Sequence, residues 1–267
     1  MSLLDLGDHT LYYEVHGEGD PVLCMGGWGT FCHGKLKDAP RTLVRNTMFV
    51  TFDYRGVGES TDNLDAVPAM QLHADDAIAL LDHLGLTRVH IVGMVGMGAC
   101  VGQLIAIQRP DLARSLLMTG TWARASRQMT DQLETMVDVH AAMGFAAFQR
   151  LVAAFSFDAA FYEQFRDRIL GDDGAWADLR GRFDAHARLV AACVSHDTLG
   201  SLDRITCPAF VLHAGLDPIT GPQVTRELAD AIPGCRSETW PDLAHVIAGK
   251  ENKIRFDRLI EDFHASA

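Results

Sequence analysis

The residues that could do chemistry in this 267-residue chain gather in short loop stretches, most of them glycine-rich and placed just after an apolar run. Arg88-Val89-His90-Ile91-Val92-Gly93-Met94-Val95-Gly96-Met97-Gly98-Ala99-Cys100 reads as a β-strand that turns on glycines and starts a helix. A bend of this kind can present a nucleophile, but glycines flank this tip and no Ser, Cys or Asp stands on it. Gly26-Gly27-Trp28-Gly29-Thr30 follows the run Pro21–Met25, and Asp53-Tyr54-Arg55-Gly56-Val57-Gly58-Glu59-Ser60 follows Met48–Phe52. Gly215-Leu216-Asp217-Pro218 comes just after Pro208–Leu212, and Trp240-Pro241-Asp242-Leu243-Ala244-His245 precedes a final helix. Other chemistries lack their signatures. There is no Walker A motif, Gly93, Gly96 and Gly98 miss the Gly-x-Gly-x-x-Gly spacing, and no His/Cys/Asp/Glu cluster has metal-ligand spacing. No metal and no cofactor is expected.

These stretches need a scaffold that brings strand ends together. Residues 1–16 alternate through Leu11, Tyr13 and Val15 around a Gly7-Asp8 turn, the pattern of a β-hairpin. Pro21–Met25, Met48–Phe52, Val89–Val92, Ser115–Thr119 and Pro208–Leu212 are short and almost continuously apolar, as strands buried on both faces are. Ser237–Trp240 adds a further short strand. Helical spacing recurs over 70–84, closed by Gly85, over 98–108, stopped by Pro110, near 223–232, and in a last helix with Leu259, Ile260 and Phe263 on one face. Strands alternating with helices predict an α/β fold: a mainly parallel sheet with helices on both faces, binding its ligand at the carboxyl ends of the strands. From about Trp122 to Leu202 the strand rhythm stops, and a helical pattern rich in Phe and Met takes over. This divides the chain into a core of residues 1–121 and 203–267 and an inserted helical lid of residues 122–202.

Composition narrows the partners. The formal charge of −12 argues against nucleic acid and anionic membrane surfaces, which attract basic patches. The most apolar window, Ile91 to Ile107, is short, studded with glycine and interrupted by Gln103, so no membrane span is expected. The six cysteines form no C-x-x-C pair and are too sparse for a disulfide scaffold. With no signal-peptide pattern at the N-terminus, they read as free thiols in a cytoplasmic protein. A homodimer is an admissible assembly.

Taken in order, the glycine-rich stretches resemble those of the α/β-hydrolase family, nearest its lidded esterase, lactonase and carbon–carbon hydrolase members. Gly26-Gly27-Trp28-Gly29 is similar to the His-Gly-x-Gly loop after the first central strand, with Gly26 in place of His. The resemblance implies that the Trp28 backbone N–H is one oxyanion-hole donor and that of Met97 the other. Asp53–Ser60 resembles the Asp-x-Arg-Gly-x-Gly-x-Ser segment, which implies a structural role. Asp217 stands where the family carries its triad acid, and His245 where it carries its triad histidine, in the family's chain order. A carboxylate so placed would hold the imidazole in one tautomer and stabilise the imidazolium. The nucleophile is where the chain departs from the family. Counting forward from the strand places the nucleophile position on Val95, and counting back from Pro110 places it on Gly96, which implies one extra residue in the turn. Neither residue can attack a carbonyl, and Cys100 lies about one helical turn too far along.

Three functions follow. His245 could activate water in the space vacated by the serine and hydrolyse an ester, a lactone or an activated carbon–carbon bond of a small, largely apolar carbonyl compound. It could instead deprotonate the substrate in a non-hydrolytic, cofactor-free reaction of dioxygenase, lyase or cyclase type. Or the chain could be a non-catalytic ligand-binding member that kept the pocket.

Overall fold

Side chains that alternate along the central strands are dealt to two separate cores, and this fixes the layering of the molecule. The computed structural model describes residues 2–28, 33 and 36–267. Gly29 and Thr30 of the loop named above, and Cys32, one of the six cysteines, lie outside the described residues. The strands are β1 (Ser2–Asp5), β2 (Thr10–His16), β3 (Pro21–Met25), β4 (Met48–Phe52), β5 (Val89–Gly93), β6 (Ala113–Thr119), β7 (Ala209–Ala214) and β8 (Arg236–Trp240). Along β3, β5, β6 and β7, Leu23, Met25, Ile91, Leu116, Met118 and Val211 enter one core, while Val22, Cys24, Val92, Leu117, Phe210 and Leu212 enter the other. Successive strand side chains point to opposite faces, so a continuously apolar strand must be covered twice.

The covering elements are α1 (Arg41–Asn46), α2 (Met70–His83), α3 (Met97–Gln108), α8 (Pro222–Ala231) and α9 (Lys250–Ala265). Leu43 of α1 and Phe256, Leu259, Ile260 and Phe263 of α9 close the second core; Leu80, Leu81, Val101, Ile105 and Leu228 of α2, α3 and α8 close the first. Helix α2 ends in a Schellman motif. Gly85, at φ +65°, follows the cap, and the Leu86 N–H returns to the Leu81 carbonyl at 3.0 Å. Helix α1 has no counterpart in the sequence reading: its six residues bury only Thr42 and Leu43, too few to show a period.

The sheet order is β1-β2-β4-β3-β5-β6-β7-β8. β1 and β2, and β2 and β4, pair antiparallel; all other pairs are parallel. β3 therefore lies between β4, which follows it, and β5, which comes later in the chain. A change of direction of this kind opens a crevice beyond the carboxyl ends of the strands. Between β6 and β7 the chain forms α4 (Arg127–Met143), α5 (Phe145–Ser156), α6 (Ala159–Ile169) and α7 (Phe183–Ser195). Ser126 caps α4 by accepting from Met129 N–H, and Asp158 caps α6 by accepting from Phe161 N–H. The two ends of this helical segment are tied to each other: Thr198 N–H donates to the Ala123 carbonyl at 2.9 Å, and Arg124 Nε donates to Asp197 at 2.8 Å.

The strand–turn–helix unit of β5 and α3 is packed backbone to backbone. A Cβ on Gly93 would fall 2.6 Å from the Ala99 nitrogen and 2.6 Å from the Gly98 carbonyl oxygen. Neither atom can move without unwinding the start of α3. Gly93→Ala is therefore expected to destabilise the fold by about 3 kcal/mol or more, the upper end of overpacking costs, seen as a lowered urea midpoint. A midpoint equal to that of the wild type would show that this junction can relax.

Candidate active site

Four loops at the carboxyl ends of β3, β5, β7 and β8 converge on one buried pair. Asp217 follows β7 and His245 follows β8, and both are buried, with 6% and 9% of their surface exposed. His245 Nδ1 and Asp217 Oδ2 are 2.8 Å apart. The other partners of the carboxylate come from its own loop: Ile219 N–H donates to Oδ1 at 2.8 Å, Thr220 N–H to Oδ1 at 2.9 Å, and Thr220 Oγ1 to Oδ2 at 2.6 Å. Burial works to raise the Asp217 pKa; the charge of His245 and the hydrogen bonds from His245 and Thr220 outweigh it and hold the carboxyl down at about 2. Asp217 is thus an anion that fixes Nδ1 of His245 as the protonated nitrogen, leaving Nε2 as the acceptor. Thr220, which orients the acid, carries no motif of its own and was not legible in the sequence.

Between β5 and α3 lies a turn of residues 94–96. The turn carries two consecutive residues with positive φ, Val95 at +53° and Gly96 at +80°. Gly96, with ψ −86°, is the central residue of a γ-turn in which Met97 N–H donates to the Val95 carbonyl at 3.1 Å, and α3 begins at Met97. A β-branched residue at φ +53° is a true outlier, a kind of strain found at functional sites. The tip amides are occupied. Val95 N–H donates to Thr119 Oγ1 at 3.3 Å, Gly96 N–H to the Thr119 carbonyl at 3.3 Å, and Met97 N–H to Val95. The Met97 N–H, expected as an oxyanion donor, is engaged inside the γ-turn, because Gly96 permits a backbone conformation that closes it.

The space beside Gly96 also differs from the sequence expectation of a vacancy left by a serine. A Cβ on Gly96 would lie 2.8 Å from Trp122 Cζ3 and 3.2 Å from the Gly120 carbonyl oxygen. The indole of Trp122 covers the position. Gly96→Ser is accordingly expected to cost about 1–3 kcal/mol of stability and to leave the protein unlabelled by a fluorophosphonate. A covalent adduct on the new serine would show that Trp122 yields readily. Cys100 offers no substitute: it is fully buried, its Sγ lies 3.6 Å from Thr121 Oγ1 and 3.7 Å from the Trp122 carbonyl, and burial pushes its thiol pKa far up.

His245, Val95, Gly96, Met97 and Trp28 line one cavity of about 40 Å³. Its other walls are Gly27, Trp122, Ile219 and, from the helical segment, Met129, Leu133, Met136, Val152, Ser156, Trp176 and Cys193. The sequence-predicted residues are thus brought together, Asp217 standing behind His245. Trp122, Ser156 and Trp176 were missed as individual site residues, since nothing in a helical pattern of apolar residues marks which ones face a cavity. The cavity holds a water or a few ligand atoms as it stands, and three of its walls are methionines, which repack easily. A larger open groove of about 800 Å³ runs between β8 and α9, but it shares no residue with this cavity and is lined by charged side chains such as Arg236, Glu238 and Arg258. The Asp53–Ser60 stretch does structural work. Glu59 N–H donates to Asp53 Oδ2 at 2.7 Å, Ser60 Oγ donates to the Asp53 carbonyl at 2.8 Å, and Tyr54 OH fixes the Gly26 carbonyl at 2.8 Å. No cluster of three metal-ligating side chains and no helix long and apolar enough to cross a membrane occurs among the described residues.

Comparison with known proteins bears on the family and the fold. Residues 20–249 match the family described as alpha/beta hydrolase fold. A protein of Variovorax paradoxus (strain S110) that carries the name of a carbamate hydrolase, RutD, is 27% identical over 258 residues, 96% of each chain. One from Mycobacterium tuberculosis (strain ATCC 25618 / H37Rv), named as a non-heme bromoperoxidase, BpoC, is 28% identical over 249 residues, 88% of this chain and 90% of its own. Among solved structures, MGS-M2, an alpha/beta hydrolase enzyme from a Medee basin deep-sea metagenome library, superposes with a TM-score of 0.87 at 20% identity over 99% of this chain and 97% of that one. The enol-lactonase of Burkholderia xenovorans LB400 does so with a TM-score of 0.82 at 22% identity, over 99% and 100%. At such identities the structural likeness concerns the fold.

Proposed function

The chain belongs to the α/β-hydrolase family, and from that membership we propose that it is a hydrolase-type enzyme in which His245, oriented by Asp217, acts as a general base without a serine nucleophile. The observation that carries this reading is the 2.8 Å bond between Asp217 Oδ2 and His245 Nδ1, buried at the wall of an apolar cavity. The substrate is a small, largely apolar carbonyl compound: an ester, a lactone, an activated carbon–carbon bond or, in keeping with the name of the Variovorax relative, a carbamate. His245 Nε2 takes a proton from water, the water adds to the carbonyl carbon, and the imidazolium, stabilised by Asp217, returns the proton to the leaving group. No acyl-enzyme forms. Of the two expected oxyanion donors, Trp28 carries the larger share in this scheme, since Met97 is engaged by Val95. The helices between β6 and β7 act as the lid that keeps bulk water away.

One observation favours a second reading. With the tip amides committed and Trp122 lying over Gly96, the site is poorly equipped for a tetrahedral oxyanion. Abstraction of an acidic proton from the substrate itself, in a non-hydrolytic reaction, needs only His245 and Asp217. Product identification on a panel of activated esters, lactones, carbamates and β-diketones separates the two. Carboxylate products formed with one solvent oxygen support hydrolysis; turnover without solvent incorporation supports proton abstraction. The absence of turnover on every member, together with tight ligand binding, would sink both.

A further inference from the structure

We propose that the hydroxyl of Ser156 is a substrate-binding group that holds a polar oxygen of the ligand inside the His245 cavity. This rests on the reading of that cavity as the substrate site. Ser156 is the last residue of α5, it is completely buried, and it lines the cavity. Its Oγ has no hydrogen-bond partner in the protein among the described residues. A helical serine commonly bonds back to the carbonyl four residues earlier; Ser156 does not. A buried hydroxyl left unpaired opposes folding, and an alanine here, like Ala153 one turn before it, would avoid that cost. The serine gains a partner once a ligand oxygen enters.

Its placement suits the chemistry. The Ser156 carbonyl accepts the N–H of Val246 at 2.9 Å, which ties the end of α5 to the residue next to His245. The hydroxyl is therefore held in fixed relation to the base. On the same cavity wall Trp122 Nε1 is a second buried polar atom without a partner. The remaining lining from the helical segment is apolar apart from the Cys193 thiol and the Trp176 indole N–H. A cavity with this pattern selects a ligand carrying a single carbonyl, enolate or hydroxyl oxygen on an otherwise apolar frame, and discriminates against its hydrocarbon counterpart, because only the former satisfies the buried groups.

The test uses two ligands of the same shape, cyclopentanone and methylenecyclopentane, with binding read from quenching of tryptophan fluorescence. Wild type is expected to bind the ketone at least about tenfold more tightly, the discrimination one hydrogen bond supplies. Ser156→Ala is expected to lose most of that preference, keep its affinity for methylenecyclopentane, and melt no lower than wild type. A ketone preference that survives in Ser156→Ala, or a wild type without one, overturns the proposal. A cavity-filling variant, Met136→Trp, with its melting temperature measured alongside, tells this failure from the failure of the site reading. If Met136→Trp abolishes binding while Ser156→Ala changes nothing, the cavity is the site and Ser156 is not its anchor. If Met136→Trp, still folded, binds the ketone as wild type does, the cavity is not the ligand site and both ideas fall.

Discussion

His245→Ala is expected to lower kcat by about 10²–10⁴-fold, the range a positioned general base contributes, on whichever activated carbonyl compound the protein turns over. The variant removes the group that accepts the proton and leaves the cavity walls intact, so KM should change far less than kcat. Asp217→Asn is expected to fall in the same direction. The amide can present its NH₂ group to Nδ1 and favour the tautomer in which Nε2 carries the proton and cannot accept one. Neither variant should unfold the protein. In His245→Ala, Asp217 keeps its bonds from Ile219 N–H, Thr220 N–H and Thr220 Oγ1. Far-UV circular dichroism and a melting curve check this. Turnover that persists at the wild-type rate in His245→Ala would eliminate the general-base reading in both its hydrolytic and its non-hydrolytic form.

The second large effect is on stability against acid. Burial pushes His73 and His186 down to about 3, and His90 and His196 down to about 4, from an ordinary 6.5. All four are buried in the structure. Among the described residues, the neighbours of two of them, His73 and His186, offer one ring nitrogen no acceptor for a proton. Two atoms, His73 Nδ1 and His186 Nε2, have no partner among the described residues, and His186 Nδ1 faces His140 Nδ1 at 3.0 Å. The sign follows from proton counting. Between about 6.5 and the depressed values, the unfolded chain binds these protons and the folded chain does not, so stability is full above about pH 6.5 and falls as pH drops toward 3–4. At pH 5 each such histidine costs roughly 2 kcal/mol. The four together come to roughly 8 kcal/mol, within the net stability of about 5–15 kcal/mol of an ordinary protein. Asp217 adds to the loss only at lower pH: its contribution is present above 3.8 and disappears as pH falls through about 2. The melting temperature is therefore expected to drop by about 10 °C or more between pH 7 and pH 5. His186→Gln should flatten that dependence by the equivalent of one proton. A melting temperature independent of pH over this interval would contradict the burial argument.

What the sequence determined by itself was the architecture, while the expected cast of the site came from the family resemblance. Continuously apolar runs of five to seven residues such as Pro21–Met25 and Val89–Gly93 can only be strands covered on both faces, and their alternation with helices leaves a parallel sheet as the solution. Asp217 and His245 were singled out because each falls in a loop after a strand where the resembled family carries its acid and its histidine, in that chain order. The absence of a nucleophile at Val95 and Gly96 was legible because residue type alone decides it. The tertiary structure decided what those residues can do. Whether an amide at the turn is free depends on dihedral angles, and the +80° of Gly96 closes a γ-turn that commits Met97 to Val95. Whether a missing side chain leaves a void depends on what arrives from elsewhere in the chain, and here Trp122 comes in from beyond β6 to cover Gly96. The same holds for Thr220 on the carboxylate and for Ser156 on the cavity wall. Helical periodicity marks the buried face of a helix, but only long-range packing determines which of its residues faces another side chain and which faces a ligand.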